Sequence, residues 1–140
     1  MENNDLVINI DEQNYGNLPL IQSQTKNTLN FSDFEELKNK QEGDQVVLRA
    51  RIHNIRGKGN SAFLILRERI QTVQAVIFKG KETPKEMIKF VQKLPKESIV
   101  DIYGKVCFPQ KPVESCTLKD RELQIQRCYV VSRANNVLPF

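Results

Sequence analysis

The feature of this sequence that most constrains its fold is a strict alternation of side-chain character that begins at Val46. As far as His53, every even-numbered residue is apolar, and the odd-numbered positions after Val47 hold arginine or histidine. A period of two directs one set of side chains into a core and the other toward solvent, which is typical of a half-buried β-strand. We therefore expect residues 46–53 to form a strand whose inner face consists of Val46, Leu48, Ala50 and Ile52.

The alternation recurs further along the chain and predicts four more strands, at residues 62–67, 72–78, 99–106 and 122–131. A glycine-rich stretch at residues 56–61 separates the first two strands and predicts a hairpin turn. In the last segment the alternation changes phase near Arg127, which indicates a β-bulge.

A helix is predicted between the third and fourth strands. Thr83 is a suitable N-cap, Pro84 fits the first helical position, and Glu86 would complete a capping box. Pro95 ends the helical pattern, because proline cannot continue a helix. The apolar stripe that this helix would bury consists of Met87, Phe90, Val91 and Leu94.

Three strands, a helix and two strands follow in the order of the OB-fold, a partly open five-stranded Greek-key barrel. We therefore predict a mainly β protein whose barrel spans residues 43–134. Ser32 and Glu35 are placed to form a capping box for a short helix before the barrel. The other predicted regions are an extended or disordered N-terminal arm at 1–30, the short helix and its connection at 31–42, and the start of a linker at 135–140.

Charge is distributed unevenly along the chain. Residues 1–42 carry eight acidic and three basic side chains, whereas residues 43–140 carry the other 18 basic and nine acidic side chains. A barrel this basic is typical of a protein that binds a polyanion, with a merely solubilising surface as the alternative. No apolar stretch approaches the ~18 residues of a membrane-spanning helix, so we expect no membrane partner.

The residue types needed for metal binding or nucleophilic catalysis are not grouped in the sequence. Cys107, Cys116 and Cys128 form no C-x-x-C pair and lie far from His53, the single histidine. We therefore expect reduced thiols, no metal site and no catalytic residues in this chain. His53 is interpreted as structural or solvent-exposed.

The predicted strand phases bring several chemistry-bearing residues to one outer face of the barrel. If the alternate apolar residues fill the core, then Phe63, Gln74, Arg49 and Arg51 point outward. An exposed aromatic ring can stack on an unpaired base, and an amide can read a base edge. Arginine can bind a phosphate or a base through paired hydrogen bonds. This combination predicts binding of single-stranded RNA.

Further positive charge surrounds this predicted face. No acidic residue occurs between Gln45 and Arg67, and Arg56, Lys58 and Arg67 are candidates for phosphate contacts. Two plainer interpretations remain open. Phe63 would be an ordinary core aromatic if the strand phase were reversed, and Gln74 would be a polar surface residue without a partner in RNA.

At these residues the sequence resembles the N-terminal anticodon-binding domain of eukaryotic cytosolic aspartyl-tRNA synthetases. The resemblance runs from about Asn14 to Phe140 and depends on the order and spacing of several short motifs. The motifs are YGNLPLIQS at 15–23, RARIHNIR at 49–56, AFLILR at 62–67, KESIVD at 96–101, ELQI at 122–125 and LP at 138–139.

The resemblance implies roles for individual residues. Phe63 matches the aromatic that stacks on the central anticodon base, and Gln74 matches the glutamine that hydrogen-bonds that base, a uridine. Glu122 matches the acidic residue that reads the first anticodon base, a guanine, and Arg49 matches an arginine that contacts the anticodon. The implied partner is the anticodon stem-loop of tRNA-Asp, and the implied location is the cytoplasm.

Two departures from the family bear on activity. The class II catalytic domain that follows the barrel in the family is not found before Phe140, so we expect no cofactor and no activation of aspartate by this chain. For the parent enzyme, the resemblance implies ATP, Mg²⁺ and a homodimer. An acidic stretch at residues 1–12 stands where the family has a lysine-rich extension, which puts tight tRNA binding by this chain alone in question.

Other functions remain open from the sequence. Asparaginyl- and lysyl-tRNA synthetases share the barrel and the central uridine, so the chain could belong to either. A general single-strand-binding OB protein and a protein-interaction barrel are alternatives from other classes.

Overall fold

The computed structural model describes residues 15–17 and 31–132. Within this part, six strands form one sheet in the order β1-β6-β4-β3-β2-β5, and β5 also pairs with β6. Because β5 pairs with both β2 and β6, strands β2 to β6 close into a barrel, as predicted. The strands are β1 (Tyr15–Asn17), β2 (Gln45–Lys58), β3 (Ser61–Glu68), β4 (Gln71–Phe78), β5 (Ile99–Cys107) and β6 (Glu122–Ser132).

The first strand was not predicted. Tyr15–Asn17 pairs in parallel with β6, in a register that sets Tyr15 opposite Cys128, and the Tyr15 ring lies 5.2 Å from that of Phe90. A strand of three residues is too short to show a period, so the sequence predicted only an extended or disordered arm here. The rest of the N-terminal arm and the predicted linker at 135–140 lie outside the described residues.

Strand β2 is longer than predicted, and it contains an irregularity. Its pairing with β3 shifts register between Ile52 and Asn54, so His53 is the extra residue of a β-bulge. Pairing then continues to Lys58, and the turn is only Gly59-Asn60, with Gly59 at a positive φ of 59°. The turn predicted at residues 56–61 is therefore mostly strand.

Strand β6 has the predicted change of phase. Tyr103 of β5 lies opposite Arg127, whereas Gly104 lies opposite Ile125, so Gln126 is an extra residue on β6. This bulge confirms the interpretation of the sequence near Arg127.

Both helices form, but their caps differ from those predicted. Helix α1 (Phe34–Leu37) has a capping box made by Asp33 and Glu36, one residue after the predicted pair Ser32 and Glu35. This register lets the helix bury Phe34 and Leu37, both fully inaccessible to solvent.

Helix α2 (Lys85–Gln92) begins after Pro84, which is its N-cap and makes no side-chain cap bond. The predicted cap, Thr83, instead donates its hydroxyl to the carbonyl oxygen of Phe78 at 2.6 Å. The predicted stripe packs against the barrel, with Phe90 only partly buried and Ile88 buried beside it. No helix in the described part of the chain is long and apolar enough to cross a membrane.

Candidate nucleic-acid interface

Four strands place four of the candidate residues in two adjacent cross-strand rows on the outside of the barrel. Residues directly opposite one another in a sheet share a face, so each row is a continuous strip of side chains. The first row, across β2, β3, β4 and β6, is Arg56, Phe63, Val76 and Gln124. The second row, two residues away along each strand, is Asn54, Ile65, Gln74 and Glu122.

Phe63 lies on the outer surface, as the predicted strand phase requires. Its neighbours Ala62 and Leu64 are fully buried, whereas Phe63 is partly exposed. Its ring makes an edge-to-face contact with Phe78, with 6.0 Å between centroids, and the Arg56 guanidinium lies 6.0 Å from its centroid. The alternative that Phe63 is a core aromatic is therefore wrong, because the residue lies on the outer side of β3 and is partly exposed.

Gln74 and Glu122 are joined directly. The Gln74 side-chain Nε2 donates a hydrogen bond of 2.6 Å to Oε2 of Glu122. A carboxylate can only accept hydrogen bonds, so the NH₂ group of the amide must face Glu122. The carbonyl oxygen of Gln74 is thereby directed elsewhere, and the amide has one fixed orientation rather than two.

The loop before Glu122 is attached to β4 by paired threonines. The backbone N–H of Thr72 donates to the Thr117 hydroxyl at 2.8 Å, and that of Thr117 donates to the Thr72 hydroxyl at 2.9 Å. Leu118 adds a backbone bond of 3.0 Å to the carbonyl of Thr72. These contacts lie two residues before Gln74, so they fix the loop close to the Gln74–Glu122 pair.

Arg49 does not lie with Phe63, contrary to the shared face predicted from parity. Its Nε and a terminal nitrogen donate to the two carboxylate oxygens of Asp101 at 2.6 and 2.8 Å, and its guanidinium lies 5.1 Å from the ring centroid of Phe31. These hydrogen bonds to the Asp101 carboxylate raise the pKa of Arg49. Arg49 pairs with β5 rather than β3, and seven residues, roughly 20 Å of strand, separate it from Arg56.

Arg51 and Arg67 lie opposite each other but also away from Phe63. Both contact the carboxylate of Glu97, at 3.8 Å from Arg51 and 3.0 Å from Arg67. Arg67 is four residues from Phe63 along β3, about 13 Å at 3.3 Å per residue. Arg51 and Arg67 therefore lie on the same outer face in the next row beyond Ile65, two rows away from Phe63.

The basic residues that do adjoin Phe63 follow the bulge at His53, which is itself exposed. Arg56 lies opposite Phe63, and Lys58 lies opposite Ser61 at the end of the hairpin, where both basic side chains are exposed. The bulge resets the alternation, so parity counted from Val46 would turn Arg56 toward the core, and it could select only the arginines before the bulge, Arg49 and Arg51. The described residues contain no group of three or more His, Cys, Asp or Glu arranged to hold a metal ion.

Three residues of this surface were not identified from the sequence. Val76 and Gln124 complete the row of Phe63, although Val76 itself is only 4% exposed, and Phe78 at the end of β4 is 49% exposed. Alternation within residues 72–78 gives Val76 and Phe78 the same phase as Gln74, but an isolated apolar residue in a strand carries no sign of a binding role. The register between β4 and β6 was needed to locate Gln124.

A barrel with this strand order, with an aromatic ring and an amide on the face of its second and third barrel strands and a carboxylate next to them on its fifth, is an oligonucleotide-binding module. The chain belongs to the family described as OB-fold nucleic acid binding domain, whose model matches residues 46–131.

Among individual proteins, the chain is similar to cytoplasmic aspartate–tRNA ligases. It is 42% identical over 125 residues to the enzyme from Caenorhabditis elegans, a match that covers 89% of this chain and 24% of the relative. The aspartyl tRNA synthetase from Entamoeba histolytica is 40% identical with a TM-score of 0.83, over 91% of this chain and 27% of that one.

The chain is also similar to a second solved structure. A putative aspartyl-tRNA synthetase from Leishmania major is 34% identical with a TM-score of 0.84, over 97% of this chain and 27% of that one. The resemblance that the motifs indicated is thus confirmed, and this chain spans about a quarter of the length of these relatives.

Proposed function

We propose that this chain is the anticodon-recognition module of an aspartate–tRNA ligase and that it binds the anticodon loop on the face around Phe63. The observation that carries the proposal is the grouping of Phe63, Gln74 and Glu122 in two adjacent rows of one sheet. A stacking platform beside two base-reading side chains is the arrangement that single-stranded RNA recognition needs.

The fixed amide of Gln74 supports a preference for uracil at the central position. Uracil presents an N3–H donor with a carbonyl acceptor on either side, whereas cytosine presents an N3 acceptor beside an amino donor. The carbonyl oxygen of Gln74 can accept a hydrogen bond from N3–H of uracil, and the second N–H of the Gln74 amide can donate to a carbonyl of the same base. A freely turning amide could match either pyrimidine, so the bond to Glu122 supplies the discrimination.

Glu122 can also contact the neighbouring base. One carboxylate oxygen receives the Gln74 amide, and the other can accept from N1–H and N2–H₂ of guanine, the first base of an aspartate anticodon. Arg56 lies close enough to Phe63 to stack on a bound base or to contact its phosphate, and exposed Lys58 adds a further charge.

The properties of the whole ligase are part of the proposal. The relatives' names support an enzyme that joins aspartate to tRNA in the cytoplasm. Such an enzyme needs ATP and Mg²⁺ in a catalytic domain outside the matched segment, and we expect the parent protein to be a homodimer. This chain would contribute recognition, and its described residues would take no part in the chemical step.

Replacing Phe63 with alanine tests the site. With a stem-loop RNA that carries a G-U-C anticodon, we expect Phe63→Ala to weaken binding by about 1–3 kcal/mol, the value of one base–aromatic stack. Ile70→Ala is the matched control, because Ile70 is 89% exposed at the opposite turn of β4. If the folded Phe63 variant binds as tightly as the control, Phe63 is not in the site.

The alternatives are separated with the same protein and other RNAs. Changing the third anticodon base from C to U should weaken binding, whereas an asparaginyl- or lysyl-tRNA synthetase domain would bind the changed loop better. A general single-strand binder would bind homopolymers equally with a steep dependence on salt. A protein-interaction barrel would not bind RNA even at low salt.

A further inference from the structure

Phe78 is a large aromatic residue on the same surface that the proposed function leaves without a role. Its side chain is 49% exposed at the end of β4, two residues beyond Val76. Its ring is perpendicular to that of Phe63, at an interplanar angle of 90°. Two bases stacked on these rings would be splayed apart, as unpaired bases often are when proteins read them.

A cleft of about 370 Å³ adjoins Phe78, which is within the size range of small-molecule sites. One wall is the loop of residues 78–83 between β4 and α2, and the other is formed by β5 and β6. The charged residues that line it are Lys79, Lys81, Lys105 and Glu82. Gln124, which belongs to the row of Phe63, also lines the cleft, so the cleft is continuous with the proposed anticodon face.

The backbone around Phe78 is held in place. The Thr83 hydroxyl donates to the carbonyl of Phe78 at 2.6 Å, and the N–H of Gly80 donates to the carbonyl of Thr83 at 3.0 Å. The N–H of Lys79 donates to the carbonyl of Asn60 at 2.9 Å, which joins the loop to the β2–β3 turn. A ring on a fixed backbone loses little freedom when a base stacks on it.

We propose that Phe78 and this cleft form a second nucleotide subsite, which takes the base on the 3′ side of the one stacked on Phe63. The proposal rests on the proposed function. Along β4, Gln74 lies two residues before Val76 and Phe78 two residues after it, so the face has Glu122 at one end and Phe78 at the other. With Glu122 on the first anticodon base, Phe78 faces the third.

The subsite supplies each contact that a nucleotide needs. Phe78 provides a stacking surface, and the side chains of Gln124 and Gln126 can read a base edge. Lys79, Lys81 and Lys105 can neutralise the adjoining phosphates.

The test combines a protein change with an RNA change in one double-mutant cycle. The RNA is the G-U-C stem-loop, either intact or with the third anticodon base removed to leave an abasic site. On intact RNA, Phe78→Ala is expected to weaken binding about five- to thirtyfold, a loss within the range for one base–aromatic stack. On the abasic RNA, the same substitution should have almost no effect. Phe78→Tyr should keep the affinity, because its ring still stacks.

Two results would overturn the subsite: a Phe78→Ala affinity equal to that of Ile70→Ala, or a loss that the abasic site does not reduce. Circular dichroism of each variant establishes that it is folded. Phe63→Ala, measured on a loop without its central base, separates the two proposals. If Phe63→Ala loses affinity and Phe78→Ala does not, the subsite fails alone; if Phe63→Ala loses none, the proposed function fails with it.

Discussion

Removal of Arg49 is expected to destabilise the fold, because it leaves a buried charge without its partner. Asp101 is 1% exposed, and the Arg49 side chain that binds both of its oxygens is 17% exposed. Breaking a buried pair by deleting one member typically costs about 3–5 kcal/mol. Since Arg49 keeps some contact with water, we expect Arg49→Ala to lower the free energy of unfolding by about 3 kcal/mol. For a domain of this size that corresponds to a melting temperature about 12 °C lower.

Arg51→Ala is the matched control for this prediction. Arg51 lies two residues further along β2, but its contact with Glu97 is 3.8 Å long and its side chain is 46% exposed. An exposed ion pair contributes only about 0–1 kcal/mol, so its loss should change the urea midpoint little. Adding Asp101→Asn to Arg49→Ala removes the unpaired charge and should restore part of the stability. Equal and small losses for Arg49→Ala and Arg51→Ala would refute the reasoning.

The same variants distinguish stability from recognition. Measured with RNA well below the unfolding transition, Arg49→Ala should bind nearly as tightly as the unchanged protein, because Arg49 lies away from Phe63. Arg56→Ala should lose affinity without losing stability, because Arg56 is exposed beside the ring of Phe63.

Three further predictions concern the remaining structure and the site. Gly104→Ala should destabilise the barrel by about 1–3 kcal/mol in urea unfolding, since a Cβ there would lie 2.8 Å from the carbonyl oxygen of Gln124; a change under 0.5 kcal/mol would contradict this packing. Burial raises the pKa of the Cys128 thiol to about 12. At pH 8 a thiol reagent should therefore label half-buried Cys107 first and label Cys128 only after the protein unfolds. Peptide mapping of the labelled protein checks this order. Glu122→Gln should reduce discrimination between uracil and cytosine at the central base, because a glutamine at position 122 can donate as well as accept and so permits the Gln74 amide to turn over. Unchanged discrimination in competition binding would argue against a role for Glu122 in orienting Gln74.

The alternation of side chains predicted the strands of the barrel, and it predicted an outward Phe63 once the alternate apolar residues of that strand were assigned to the core. Parity within one short strand depends only on the two-residue period, and both the 62–67 and 72–78 segments are regular in the structure. The helix between the third and fourth barrel strands was predicted for the same kind of reason, because its apolar stripe packs on the core.

The arginines of the site could not be selected in this way. A single extra residue at His53 changes which side chains of β2 face outward beside β3, and nothing in the sequence marks that bulge. Arg49 also has a partner 52 positions away, Asp101, which only the register between β2 and β5 brings into contact. Which arginines lie near Phe63 is therefore determined by long-range strand pairing, which the local sequence pattern does not show.

Cap positions were displaced for a related reason. Ser32 and Asp33 are both good N-caps, and the choice between them follows from which apolar residues the helix must bury. At the second helix, the Thr83 hydroxyl is used to close the loop from Phe78 rather than to cap α2. Where two residues could make the same kind of cap hydrogen bond, the packing of the surrounding residues decides which of them makes it.

The most direct measurement of the central claim is the affinity of this chain for two stem-loop RNAs that differ only in the central anticodon base. One carries G-U-C and the other G-C-C, and both are titrated at the same salt concentration. Because the Gln74 amide is held in one orientation by Glu122, we expect the uracil loop to bind at least tenfold more tightly, about 1.4 kcal/mol. Equal affinity for the two loops would contradict the assignment of this face as an anticodon reader.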